Sequence, residues 1–234
     1  MILVSLVAVM LGAVIQGSIG FGFALVAVPT FTLLLPDVVP AGLLLIAVPM
    51  TVAMAAREHS SIDVHCLFYS TLGRIAGTLA GVALLAIVQA DSLAVLVGVM
   101  IVIGVTLSLF AAPTEVLWGT GLVAGFASGV MSTTAAIGGA PMALAYQARP
   151  GTELRSTLSA SFVLGTLMSL AALALSGRVD GDHVIFALEM IPAMLAGLLV
   201  SRYLKRWLDG RWLRPAVLCF AGMAGVLAIA QGVR

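Results

Sequence analysis

Two clusters of glycine with amide- or hydroxyl-bearing residues interrupt otherwise apolar sequence: Gln16-Gly17-Ser18-Ile19-Gly20-Phe21-Gly22 and Ser132-Thr133-Thr134-Ala135-Ala136-Ile137-Gly138-Gly139-Ala140-Pro141. Side-chain amides and hydroxyls donate hydrogen bonds. A helix that restarts after a break also presents unpaired N–H groups and a partial positive charge, so it can hold an oxyanion without Lys or Arg. Gln16, Gly17, Ser18, Gly20, Phe21, Gly22, Ser132, Thr133, Thr134, Gly138 and Gly139 are therefore the expected lining of an anion site. A single such cluster would read as glycine used for close helix contact. Two at equivalent places point instead to paired breaks facing each other.

Two ionisable residues lie deep in apolar text, Arg74 and Glu189. An unpaired charge at such depth costs about 3 kcal/mol or more, so each needs a partner or a purpose. An offset of 116 or 117 residues, taken from the echoes between the two halves, sets Glu189 next to the counterpart of Arg74. Two uses follow: an ion pair, or snorkelling of either side chain to a helix end; or Arg74 attracting an anion while Glu189 carries a coupling proton. Ser156, Thr157, Ser159 and Ser161 open another apolar stretch and are expected to bond back to their own helix, with Ser159 and Ser161 the deeper site candidates.

Other chemistries find less support. Gly125-Phe126-Ala127-Ser128-Gly129 is superficially like a serine nucleophile turn, but His59, His65 and His183 all fall near the ends of apolar blocks, leaving Ser128 no base at depth. An enzyme is not expected. Cys66 and Cys219 match no metal-ligand spacing and read as packing residues, so neither metal nor cofactor is expected. No phosphate-loop Gly-Lys motif points to ATP, and no basic run points to nucleic acid.

The elements that must position these residues are membrane helices. The 234 residues are 62% hydrophobic and 9% charged with mean hydropathy +1.19, against about 25% charged in soluble domains. Lipid is the solvent such a surface requires. Residues 1–30 hold no Lys or Arg, so the beginning of the chain reads as mature structure rather than a signal peptide. Eight apolar blocks follow, near 2–35, 38–56, 65–89, 92–112, 116–147, 155–176, 183–201 and 213–232. The first and fifth would be roughly 50 Å long as straight helices, against a hydrocarbon core of about 30 Å, so each must fold back or break. Pro49 and Pro192 mark kinks in other blocks.

Gly77-Thr78-Leu79-Ala80-Gly81 is echoed by Ala193-Met194-Leu195-Ala196-Gly197, and Ile62-Asp63 by Val179-Asp180. The matching block order predicts a duplication, 1–112 and 113–234. If every block crosses once, Arg149, Arg155, Arg202, Lys205, Arg206, Arg211 and Arg214 share one side, and Arg57, Arg178 and Arg234 the other. If the first and fifth blocks are hairpins, Arg57 joins the larger group, which better fits an excess of Lys and Arg in cytoplasmic loops. The expected fold is thus an all-α polytopic membrane protein of two inverted repeats. Each has a broken or hairpin first segment plus three transmembrane helices, and both termini lie outside.

The stretch Gly12…Gln16-Gly17-Ser18-Ile19-Gly20-Phe21-Gly22…Pro29, its partner Gly125…Ser128-Gly129…Ile137-Gly138-Gly139-Ala140-Pro141, and the Ile62-Asp63 and Val179-Asp180 openings resemble the TauE/SafE sulfite-exporter family over nearly the whole chain. The resemblance implies an integral permease of two related halves in a bacterial inner membrane. It would export small anions, sulfite or organosulfonates such as sulfoacetate. The Ser132-to-Ala136 run departs from the glycine-dense second motif, at the expected lining, and leaves the substrate open. The expectation is a secondary transporter working by alternating access around a midplane site, with a small anion and membrane lipid as partners. Small-residue faces such as Gly77 to Gly81 suit contacts within the chain or in a homo-oligomer. The alternatives are a permease or channel for a neutral or cationic metabolite, its carbonyls facing the solute, and a membrane subunit without transport.

Overall fold

The computed structural model describes residues 2–89, 92–110, 118–146, 151–204 and 210–232. Ten α-helices, and no strand, are found among the described residues: α1 (Ile2–Ile19), α2 (Phe23–Leu34), α3 (Ala41–Arg57), α4 (Val64–Ile87), α5 (Leu93–Phe110), α6 (Trp118–Ala135), α7 (Gly139–Tyr146), α8 (Gly151–Leu175), α9 (Gly181–Leu204) and α10 (Gly210–Gly232). By length and composition α1, α4, α8 and α9 can each cross a bilayer, and shorter apolar helices accompany them. Large apolar side chains such as Leu79, Ile87, Val123, Leu175 and Leu188 point outward, the arrangement expected of a lipid-facing surface. The expected boundary between residues 112 and 113 lies outside the described residues.

Both over-long blocks fold back. Gly22 lies against Ile15, and Gly12 against Phe23, residues that a straight helix would separate by about 16 Å. Positive φ angles at Gly20 (99°) and Gly22 (125°) make the reversal, which side chains disfavour. In the second block Gly138 sits against Ser128 and Ser132, and α7 returns along α6. The breaks are shorter than the glycine clusters: Gln16, Gly17 and Ser18 still belong to α1, and Ser132, Thr133 and Thr134 to α6. The physical reason is local. Ser18 Oγ donates to the Val14 carbonyl and Thr134 Oγ1 to the Val130 carbonyl, so both hydroxyls satisfy themselves within the helix.

Small residues set the closest helix pairs. Along α4 and α6, Gly73 abuts the Leu122 carbonyl, Gly77 that of Phe126, Gly125 that of Ser70 and Gly129 that of Arg74. Gly197 of α9 meets the Met10 carbonyl of α1, and Gly98 of α5 meets Gly225 of α10. Helix α3 pairs with α8.

Caps and loop contacts sort the helix ends. Asp63 Oδ1 accepts from the Cys66 N–H (3.0 Å) and Asp180 Oδ1 from the His183 N–H (3.1 Å), capping α4 and α9. At one end of the molecule, His183 Nε2 lies 2.9 Å from the Asp37 carbonyl and Arg178 reaches the Leu85 carbonyl. At the other, Asp63 N–H donates to Thr157 Oγ1 (3.0 Å) and Arg155 pairs with Glu58. Arg57 therefore shares an end with Arg155, as hairpins require. Arg149, Lys205, Arg206 and Arg234, and the side chains of Arg211 and Arg214, lie outside the description.

Candidate functional site

Arg74 stands mid-way along α4 and turns inward, 3% exposed, between α6 and α8. Its Nη1 donates to the Ser161 carbonyl (3.2 Å) and lies 3.4 Å from Ser161 Oγ, while Nε has no partner. Room for the guanidinium comes from Gly165, where a Cβ would collide with Arg74 Cζ and Nε, and from Gly138, whose Cβ would fall 2.7 Å from Nη2. No carboxylate pairs with this cation among the described residues.

The ion pair with Glu189 does not form, and neither side of the snorkelling alternative describes Arg74. Glu189 is exposed on α9, a helix that packs on α1 and α3. The reason is register: counted from the capping aspartates, the counterpart of Arg74 is Ile191, which packs against the core. Two residues turn a helix by about 200°, which carries Glu189 to the opposite face.

The two breaks meet in one cavity of about 60 Å³. Its walls include Gln16, Phe21 and Gly22 from the first hairpin, Ser132, Gly138 and Gly139 from the second, and Arg74. Thr51 of α3 and Phe162 and Thr166 of α8 complete it. One water needs about 10–15 Å³ by this measure, so the space suits a small oxyanion with little accompanying water. Helices α2 and α7 begin at the cavity, where Phe23, Ala24, Gly139 and Ala140 line its wall.

The first helix start is partly used. Gln16 Oε1 accepts the Phe23 N–H at 3.0 Å, which commits the amide oxygen and leaves the NH₂ as donor. Around the second hairpin, Thr133 Oγ1 donates to Ser169 Oγ (3.1 Å), which donates to Ser132 Oγ (3.0 Å). The relay runs toward the cavity and leaves the Ser132 O–H to donate into it. Thr133 thus stands one layer behind. Gly17, against Ser201, serves the α1–α9 contact, and Ser18 and Thr134 bond their own helices. Gly20 lies beside the stem of Arg155 rather than at the cavity wall. Ser128 donates to the Gly138 carbonyl and so locks the second turn. Ser161 holds Arg74, Thr157 receives Asp63, and Ser159 is buried away from the cavity walls.

Gly165, Thr166 and Ser169 escaped the sequence reading. The signal was present: with Ser161 they fall at the three-, four- and five-residue steps that line one face of α8. Cys66 is buried on α4 and Cys219 exposed on α10. No group of His, Cys, Asp and Glu among the described residues could hold a metal ion.

Neither a curated protein nor a solved structure matches the chain. A family model described as Sulfite exporter TauE/SafE does, over residues 4–228. With its apolar helices, broken segments and shared central cavity, the chain belongs to the TauE/SafE sulfite exporter family and is a multi-pass membrane protein.

Proposed function

We propose that the protein is a secondary transporter that exports sulfite or a small organosulfonate by alternating access around the cavity between α2 and α7. The observation that carries this is Arg74: a permanent cation, buried in the cavity wall, whose hydrogen-bond partners are neutral and whose Nε is unpartnered. An uncompensated buried charge is costly, and an oxyanion in the cavity offsets that cost. A planar guanidinium, the Gln16 NH₂, the Ser132 and Thr166 hydroxyls and the N–H groups opening α7 are all donors. A neutral or cationic solute would leave Arg74 without its counter-charge.

The proposed lining is therefore Arg74, Gln16, Phe21, Gly22, Ser132, Gly138, Gly139 and Thr166, with Thr133 acting through Ser169. Glu189, facing outward, is a poor proton carrier for this site.

Two inverted repeats, 1–112 and 113–234, supply the moving parts in this reading. Support comes from which helices meet: α1 on α9 answers α6 on α4, while α3 meets α8 and α5 meets α10. The hairpins also approach the cavity from opposite ends, α2 returning toward Asp37 and α7 toward Ser70, whose Oγ lies 2.9 Å from the Tyr146 hydroxyl. The end that holds Arg57 and Arg155 is the cytoplasmic one in this scheme.

Counterflow in proteoliposomes tests the reading with sulfite, sulfoacetate, taurine and an uncharged solute of similar size. Exchange of sulfite or sulfoacetate without the uncharged solute is expected. Accumulation of only the uncharged solute refutes an anion carrier, and no flux of any of them makes the chain a non-transporting subunit.

A further inference from the structure

We propose that the anion passes between the central cavity and the Arg57–Arg155 end through a vestibule in which Arg155 is a docking cation and the Phe21 ring is the constriction. This rests on the anion reading above and adds to it a route, a role for Phe21 and one further residue, Arg155. Three cavities lie in series. The central one, about 60 Å³, shares Phe21 with a second of about 330 Å³, whose walls include Ile19, Ala143, Leu154, Arg155 and Leu158. That one shares Arg155 with a third of about 240 Å³ beside Arg57, Glu58, Thr152 and Ser156, where α3 ends and α8 begins. Phe21 borders both of the first two spaces, and Arg155 both the second and the third.

Phe21 is placed to act as a movable plug. It sits at the tip of the α1–α2 hairpin between Gly20 and Gly22, whose positive φ angles mark backbone that only glycine adopts readily. The ring is half-buried and touches both the large apolar core and the separate cluster around Tyr146 and Phe162. It therefore closes the seam between them without being enclosed by either.

Arg155 has the right chemistry for a station on this path. Its aliphatic stem runs past Gly20, where a Cβ would stand 3.7 Å from Cγ. Its Nε is 3.5 Å from Glu58 Oε1, and its side chain is 37% exposed. The contact is long for an ion pair, and the guanidinium, at 37% exposure, can take an incoming anion alongside Glu58. The same guanidinium chemistry then recurs at Arg74, deeper along the route.

Two measurements test the proposal. In reconstituted vesicles Arg155→Gln is expected to raise the apparent KM for sulfite about five- to tenfold with the maximal rate nearly unchanged, and to flatten its dependence on ionic strength. An unchanged KM and salt dependence overturns the docking role. For the constriction, Ala47→Cys in a C66A/C219A background places one thiol on the central cavity. A membrane-impermeant sulfonated thiol reagent added from the Arg155 end should modify it at least about tenfold faster when Phe21→Ala is added, and at the original rate with Phe21→Leu. Equal rates in all three, or faster modification from the opposite end, overturn the route. If Phe21→Ala speeds modification but no anion is transported, the constriction stands and the anion reading fails. If anions are transported but modification is unaffected, the anion reading stands alone.

Discussion

The two hairpins perform one architectural task with different residues. The α1–α2 turn uses two positive-φ glycines, and its one deep polar side chain, Gln16, caps its own returning helix. The α6–α7 turn instead places Ala136 at φ 57°, is locked by Ser128, and is backed by the Thr133–Ser169–Ser132 hydroxyl relay. Gly138 of the second hairpin lies against the Arg74 guanidinium. The two turns thus carry unequal chemistry: the first supplies a glycine-flanked tip and one amide, the second a set of hydroxyls and a close approach to the cation that α4 contributes. Likeness of turn does not extend to likeness of site.

The largest effect expected from breaking this contrast is at Arg74. Arg74→Gln should lower sulfite flux by about 100-fold or more, since truncating one member of a buried charge contact costs roughly 2–5 kcal/mol; counterflow rates against the parent protein check it. Next comes a test of the first hairpin. Gln16→Glu keeps an acceptor for the Phe23 N–H at a helix start that favours anions, so the fold should survive, yet the added negative charge should cut flux about tenfold or more. Ser132→Ala, which removes one neutral donor, should cost roughly fivefold, in line with about 1 kcal/mol for such a bond. A larger loss from Ser132→Ala than from Gln16→Glu would invert the proposed division of labour.

The turns themselves should respond with opposite sign. Gly20→Ala puts a side chain at φ 99° and should destabilise the protein by about 1–2 kcal/mol. Ala136→Gly releases a strained residue and should be neutral or stabilising by up to about 1 kcal/mol. Thermal unfolding in detergent distinguishes them. The smallest effect concerns the matching caps of α4 and α9. Asp63→Ala should cost about 1 kcal/mol. The Asp180 carboxyl is held below its ordinary range first by the His183 backbone N–H, so its contribution is complete above the unfolded value near 3.9 and is lost as pH falls through the lower folded one. Unfolding followed from pH 6 to pH 3 should show this acid-side loss, and Asp180→Ala should abolish it.

Length made the breaks legible, because no helix of the first or fifth block could fit a bilayer unbroken, and only the Lys and Arg count leaned toward hairpins over kinks. Their tips were less legible by about one turn of helix. Ser18 and Thr134 look like loop residues in sequence, but hydroxyls that bond the preceding turn are compatible with helix, and no pattern in a single sequence reports which way they point. Arg74 was visible as an anomaly, and its depth already demanded a purpose. The pairing with Glu189 failed because Glu189 stands two residues from Ile191, the counterpart of Arg74 by the capping aspartates, and two residues reverse the face of a helix. The dense hydroxyl cluster Ser156, Thr157, Ser159 and Ser161 stands near the start of α8, whereas the cavity lies against its middle, at Phe162 and Thr166.

The missing side chain at 165 acts as a lock on where charge can sit. A first carbon there would overlap the Arg74 guanidinium, so any side chain at 165 must drive that guanidinium out of its present position. The seat of the cation is thus set from α8 as much as from α4, and Gly165→Ala should displace Arg74 while leaving its charge intact.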